Sequence, residues 1–209
     1  MLDAPNRDRV AERREATRLE IVAAAWVIAR ESGLASLRLR DVAARVGMRA
    51  PSLYTHFESK NAIYDAMFAQ AWQEYEDAVI ALEPELSAHP RTAIKQLARH
   101  FYDYATADLA RHQLMNVRII PGFEPTPNAY APAVRVLERG VENLGRRGVT
   151  SRDDFDIWVS LIGGLVNQYH ANDPGGTRCA VLLNRAVDMW ADALGLPVEP
   201  STPSRKTRR

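Results

Sequence analysis

The sequence predicts an all-α protein with two helical domains, and three features of its pattern support this fold class. Apolar residues recur at i, i+3, i+4 and i+7 spacing over most of the chain, which is the period of an amphipathic helix. Glycine and proline clusters separate these stretches, and no strand pattern or internal repeat interrupts them. The 209 residues, 46% apolar and 25% charged, are enough to enclose a hydrophobic core and have the composition of an ordinary soluble protein.

The segment from Leu37 to Lys60 predicts two short helices that meet at a glycine turn. The first places four apolar residues on one face: Leu39, Val42, Ala43 and Val46. Gly47 supplies the turn, because a residue without Cβ adopts positive φ readily. In the second helix Leu53 and Phe57 share the buried face, so its outer face is polar. This pattern is typical of a helix-turn-helix, whose second helix enters the major groove of DNA.

The helix-turn-helix is expected to form part of a three-helix domain. A helix from about Arg13 carries an apolar stripe and ends before Gly33, which is a suitable residue to follow a helix. The predicted organisation is a flexible arm over residues 1–12, a DNA-binding domain over 13–60, a second helical domain over 61–196, and a disordered basic tail over 197–209.

Charge is distributed unevenly along the chain. Residues 1–60 hold 11 Lys and Arg against 8 Asp and Glu, whereas residues 61–200 hold 12 against 18. A basic end on an acidic body suits a protein that presents one end to a polyanion. Cys179 is the only cysteine, and neither a signal peptide nor a membrane span is predicted. We therefore expect a cytoplasmic protein that does not insert into membranes.

Several stretches resemble the tetracycline-repressor (TetR) family of transcriptional regulators. They are Ile21-Val-Ala-Ala-Ala, Asp41-Val-Ala-Ala-Arg-Val-Gly-Met and, most specifically, Ser52-Leu-Tyr-Thr-His-Phe-Glu-Ser-Lys60. The resemblance covers about the first 65 residues. It implies a homodimeric regulator that binds a double-stranded DNA operator and a small-molecule effector. The most common mode is a repressor that leaves a near-palindromic operator when the effector binds; an activator or a ligand-independent repressor remains open.

The resemblance also implies roles for individual residues. Tyr54 and His56 would grip backbone phosphates, and Lys60 would do so from the start of the next helix. The residues that would face base edges are Arg49, Pro51, Ser52 and Thr55. Leu37-Arg38 and Arg49 stand where family members often carry a capping Ser or Thr, so this chain lacks both caps and has an arginine at each place instead. Arg49 would bond either to a guanine edge or to a phosphate.

The resemblance also implies that residues 61–196 form a ligand-binding and dimerisation domain. Dimerisation in this family uses the last two long helices, here about residues 152–171 and 177–194. Four positions of the first helix form one candidate seam: Ile157, Leu161, Gly164 and Gln168. The Gly163-Gly164 pair lowers helix stability by roughly 1 kcal/mol per residue relative to alanine. The pair would be useful where another backbone approaches this helix closely. The alternative is that the helix tolerates the two glycines without such a contact.

An effector site would draw on aromatic side chains with few polar groups, the usual lining of small-molecule pockets. The candidates are Phe101, Tyr104, Met115, Phe123, Trp158, Asn167 and Tyr169. A plain hydrophobic core would use the same residue types. These candidates hold no charged cluster, so a largely apolar ligand is favoured.

Enzyme functions find no support in the sequence. It has no glycine-rich phosphate loop, no nucleophile elbow and no histidine pair at metal-binding spacing, so no catalytic residue, metal or cofactor is predicted. The competing class is a helical ligand-binding or enzymatic protein whose basic end does not bind specific DNA sequences.

Overall fold

The computed structural model describes residues 9–198, and these residues form an all-helical protein, as the sequence predicts. The α-helices of this part of the chain are Arg9–Ser32 (α1), Leu39–Arg45 (α2), Ala50–Leu53 (α3), Lys60–Leu82 (α4), Pro90–Thr106 (α5), Leu109–Asn116 (α6), Pro127–Gly145 (α7), Arg152–Asn172 (α8) and Arg178–Ala193 (α9). Short 3-10 turns cover Leu34–Ser36 and Glu83–Glu85. None of these helices is long and apolar enough to span a lipid bilayer.

The ends of the helices follow local capping chemistry. α4 begins at Lys60 because the Ser59 hydroxyl accepts a hydrogen bond from the Ala62 amide at 3.1 Å. α1 begins at Arg9, so residues 9–12 of the expected arm are helical. The rest of that arm, residues 1–8, and residues 199–209 of the expected tail lie outside the described residues.

The described chain divides into two compact units with different boundaries from those expected. The first unit comprises residues 9–76 and 108–134, and the second comprises 77–107 and 135–198. Residues 108–134 join the helix-turn-helix because their loop is bonded to the first turns of α4. The Asp65 carboxylate accepts hydrogen bonds from the Thr126 amide and hydroxyl at 2.7 and 2.8 Å.

In the first unit, the α2–α3 turn is closed by backbone hydrogen bonds. The Met48 amide donates to the Ala43 carbonyl at 2.8 Å and the Gly47 amide to the Ala44 carbonyl at 3.2 Å, the two bonds of a Schellman motif. Gly47 has φ +70°, a conformation that strains any residue with a Cβ. α2 is also fixed to α1, because Arg45 forms two bonds with Glu31 at 2.7 and 2.9 Å. The bond from Arg45 also lowers the pKa of Glu31.

In the second unit, α5, α8 and α9 pack around an apolar core. Arg91 on α5 has a buried guanidinium, which bonds to groups at the end of α9. It donates to the Leu196 carbonyl at 2.7 Å and pairs with Asp192 at 2.6 Å. These bonds hold the end of α9 in place. Several apolar residues of α8 and α9 are exposed, among them Ile157, Leu161, Val181 and Met189.

We predict that Gly47→Ala lowers the free energy of unfolding by about 1–2 kcal/mol, because alanine disfavours the left-handed region. No atom lies within 4 Å of a Cβ built at Gly47, so the cost is conformational. Gly163→Ala is the matched control: it also has open space but lies inside α8, where alanine stabilises a helix by about 0.5–1 kcal/mol. Urea unfolding followed by circular dichroism measures both, and equal effects would refute the conformational argument.

Candidate nucleic-acid interface

The expected recognition helix, α3, is only four residues long. Its N-cap is Arg49, whose side chain makes no capping hydrogen bond, and Pro51 lies in its first turn. The Thr55 hydroxyl donates to the Ser52 carbonyl at 2.7 Å, which closes the turn that follows. Leu53 and Phe57 are buried, at 0% and 2% exposure, so the helix is anchored by its inner face.

Two arginines of α1 hold the end of α3. Arg14 donates to the Thr55 carbonyl at 3.3 Å, and Arg18 donates to the His56 carbonyl while its guanidinium lies 4.1 Å from the centre of the Phe57 ring. These bonds supply donors to carbonyls of the turn that follows α3. No local spacing in the sequence signals this role, because about 40 residues separate each donor from its acceptor.

The residues expected to touch DNA occupy α3 and its flanks. Tyr54 is 55% exposed. The expected base-reading residues are all exposed: Arg49, Pro51, Ser52 and Thr55. His56 is half-buried, and its Nδ1 atom has no hydrogen-bond partner within residues 9–198. Of the eight residues expected to touch DNA, Arg38 is the N-cap of α2, six lie between the N-cap of α3 and the turn after it, and Lys60 begins α4.

Lys60 and Arg38 place two cations close together beside α2. The Lys60 ammonium donates to the Ala35 carbonyl at 3.3 Å and lies 5.3 Å from the centre of the Tyr64 ring. Burial and, secondly, the charge of Arg38 lower the pKa of Lys60. An anion bound here would relieve the repulsion between the two cations, so the site suits a phosphate.

Two of the expected effector residues, Met115 and Phe123, line a cavity of about 220 Å³ within the first unit. Its wall comprises residues of α4, α6 and α7 together with the loop between α6 and α7. Phe68 and Tyr130 stack in this wall with their ring centres 5.8 Å apart. Arg118 is the only charged residue among those that line it; its side chain is 89% exposed and lies 3.5 Å from Glu124.

The other five expected effector residues belong to the second unit. Trp158 is buried in the apolar core, and its indole N–H has no hydrogen-bond partner in the described chain. The Tyr169 hydroxyl accepts a hydrogen bond from the Gly175 amide at 3.0 Å. Phe101 and Tyr104 are half-buried and Asn167 is exposed. A role for these residues in ligand binding stays a prediction.

The expected dimer seam is exposed on α8. Ile157 is 50% exposed and Leu161 is 38% exposed, while Gly164 and Gln168 are exposed further along the same line. A Cβ built at Gly164 would meet no atom within 4 Å. The seam is therefore an apolar face with room for another backbone to approach.

Comparison with known proteins supports the assignment of the first unit. The family model described as bacterial regulatory proteins, tetR family, matches residues 21–67, which run from α1 through the helix-turn-helix into α4. Residues 21–67 are therefore similar to the N-terminal DNA-binding domain of that family. The chain is accordingly a DNA-binding transcriptional regulator of the helix-turn-helix class.

Solved structures show that the fold extends beyond the matched domain. A protein with unknown function from Rhodococcus sp. RHA1 has a TM-score of 0.75 at 17% identity, covering 93% of this chain and 99% of that one. A TetR transcriptional regulator from Streptomyces coelicolor has a TM-score of 0.53 at 23% identity, covering 87% and 99%. The regulator FadR from Bacillus subtilis, solved with stearoyl-CoA, has a TM-score of 0.61 at 14% identity, covering 82% and 96%.

We predict that Tyr54→Phe combined with Lys60→Ala weakens binding to every duplex and flattens its salt dependence. Log affinity falls with log salt at about −0.9 per neutralised phosphate, so the slope should lose the equivalent of about one to two phosphates per protomer. Lys95→Ala is the control, since Lys95 lies on α5 and pairs with Asp188 at 2.7 Å. Fluorescence anisotropy at several salt concentrations measures this, and an unchanged slope in the double variant would remove both residues from the interface.

Proposed function

We propose that this regulator is a homodimeric repressor that occupies a near-palindromic operator and leaves it when a small, largely apolar molecule binds. The observation that carries the proposal is the exposed outer face of α3, which is anchored by Leu53 and Phe57 and held at its end by Arg14 and Arg18. A rigid helix with an exposed polar face is what reading bases in the major groove requires.

The proposed DNA contacts divide into two classes. Phosphates would be held by Tyr54, His56 and Lys60, with Arg38 adding charge beside Lys60. Such contacts fix the register of the protein on the duplex but carry no sequence information. Sequence would be read by Arg49, Pro51, Ser52 and Thr55, with Arg49 bonding either to a guanine edge or to a phosphate.

The proposed dimer pairs α8 and α9 with the same helices of a second copy. The exposed apolar residues of these helices support this arrangement. A twofold axis places the seam of one copy against the same seam of the other copy. Two copies related in this way present two α3 helices, which is why the operator should be near-palindromic.

The cavity of about 220 Å³ is the proposed effector site. It is smaller than the roughly 300–1,000 Å³ typical of sites for drug-sized ligands, so it suits a small molecule. Its aromatic wall favours an apolar ligand. The Bacillus subtilis relative was solved with stearoyl-CoA, a much larger molecule, so that relative supports regulation by a ligand and not the same ligand.

The proposal includes no catalytic step, and it places the protein in the cytoplasm, where its operator would be accessible. The competing function is a helical ligand-binding or enzymatic protein without sequence-specific DNA binding. The helix-turn-helix and its family match favour the regulator.

We predict that Leu161→Arg dissociates the dimer and weakens operator binding while leaving the DNA-binding unit folded. The twofold axis would bring the new charges of both protomers together in a desolvated interface, at a cost of several kcal/mol. Sedimentation velocity measures the dimer, and anisotropy with a two-half-site duplex measures the binding.

Val141→Arg is the matched control for this prediction. Val141 is also an apolar residue of the second unit and, like Leu161, is 38% exposed, but it lies on α7. It should leave the dimer intact. A dimer that survives Leu161→Arg unaltered would show that the seam lies elsewhere.

A further inference from the structure

Tyr64 joins the cavity to the turn that positions the helix-turn-helix. Its ring lies 5.5 Å from the Phe123 ring, centre to centre, and Phe123 lines the cavity. At its other end the Tyr64 hydroxyl donates a hydrogen bond of 2.5 Å to the Leu34 carbonyl, in the turn between α1 and α2. Both residues at that contact are buried, Tyr64 at 0% and Leu34 at 1% exposure.

The loop that carries Phe123 is fixed to the first turns of α4 by two further contacts. Asp65 accepts two hydrogen bonds from Thr126, and the Asn61 amide donates to the Gly122 carbonyl at 3.3 Å. Asn61, Tyr64 and Asp65 therefore meet the loop on one side of α4's start. Because residues 117–120, 123 and 125 line the cavity, a molecule inside it pushes on this same loop.

The start of α4 also contacts the turn that leads to the DNA-binding residues. Lys60 donates to the Ala35 carbonyl, one residue after the carbonyl that Tyr64 holds. Leu37, at the end of the same turn, is 1% exposed, and Arg38 follows it as the N-cap of α2. Tyr64 and Lys60, both in the first turns of α4, therefore hold two adjacent carbonyls of the turn that leads into α2.

We propose that the contact from Phe123 through Tyr64 to the Leu34 carbonyl couples the cavity to the helix-turn-helix, and that its ligand is an uncharged molecule of one or two aromatic rings. This inference rests on the proposed function and names the route of its regulation.

The chemistry of the cavity defines the ligand class. Phe68, Phe123 and Tyr130 supply ring faces and edges for stacking. The single charged residue of the lining, Arg118, is mostly solvated, so a charged ligand would lose its hydration without gaining a buried partner.

The hydrogen bond at Tyr64 suits a switch because its strength falls steeply with distance and angle. Burial raises the pKa of Tyr64 to about 12, so the hydroxyl remains a donor throughout the physiological pH range. When ligand displaces Phe123, the ring and its hydroxyl move together and the turn at Leu34 loses its anchor. DNA affinity then falls because the ligand favours the displaced arrangement and the operator favours the anchored one.

The test places a ring in the cavity covalently, so no natural ligand is needed. Val117 lines the cavity and is 37% exposed. We would label Val117→Cys, in a Cys179→Ala background, with benzyl methanethiosulfonate, and use the methyl reagent as the small control. The benzyl label should weaken operator binding by about tenfold, within the 5–150-fold range of typical allosteric coupling, and the methyl label by less than about twofold.

The route itself is tested by Tyr64→Phe, which removes only the hydroxyl, and by Phe123→Leu, which removes the ring contact. In either background the benzyl effect should shrink to less than about threefold. Tyr102→Phe is the matched control: it also removes a buried tyrosine hydroxyl, but Tyr102 packs in the core of the second unit and does not line the cavity, so the full effect should remain. Amide hydrogen exchange at residues 34–37 should accelerate on benzyl labelling only where the route is intact.

The outcomes separate this inference from the proposed function. If the unlabelled protein selects no DNA sequence, the proposed function fails. If it binds its operator but the benzyl label changes neither affinity nor hydrogen exchange, the cavity is not the regulatory site. A benzyl effect that persists in both Tyr64→Phe and Phe123→Leu would overturn the proposed route while leaving the repressor intact.

Discussion

A helix of four residues cannot maintain its own shape, and the DNA-binding end of this protein depends on how α3 is held. Nucleating a helical turn is unfavourable, and α3 has no side-chain cap at Arg49 to offset that cost. Its stability comes from tertiary contacts: the buried side chains of Leu53 and Phe57, and the bonds from Arg14 and Arg18 to the carbonyls that follow it. The side chains on the outer face of α3 do not take part in anchoring it, so they can contact DNA.

The arginines of this end consequently serve two purposes. Arg14, which is exposed, and Arg18, which is half-buried, donate to backbone carbonyls, and Arg18 also lies over an aromatic ring. Arg38 and Arg49 stand at exposed helix starts, where their charges face solvent. Part of the basic character of residues 1–60 therefore also stabilises the domain.

Local signals in the sequence predicted most of the fold, and long-range contacts account for what they missed. The apolar face formed by Leu39, Val42, Ala43 and Val46 and the glycine at Gly47 were enough to place α2 and the turn after it. The bonds of Arg14 and Arg18 join residues about 40 positions apart and leave no local pattern. Residues 108–134 likewise join the first unit through long-range contacts, among them Asp65–Thr126, 61 positions apart, and Arg30–Asp108, 78 positions apart.

The candidate sites were predictable to different degrees for the same reason. The DNA-binding residues form one short contiguous stretch, so a pattern identifies them together. Cavity-lining residues come from separate helices, and aromatic side chains look alike in sequence whether they line a cavity, as Phe123 does, or fill a core, as Trp158 does. Only their placement in the fold distinguishes the two cases.

The central claim is that two α3 helices read a symmetric DNA site, and selection of bound fragments from a random duplex library tests it most directly. The wild-type chain should enrich an inverted repeat whose half-sites lie about one helical turn, or a multiple of it, apart. If Arg49 bonds a guanine edge, Arg49→Ala should relax the preference at one base pair of each half-site. Enrichment of no sequence, or of a single site without a second half, would contradict the account.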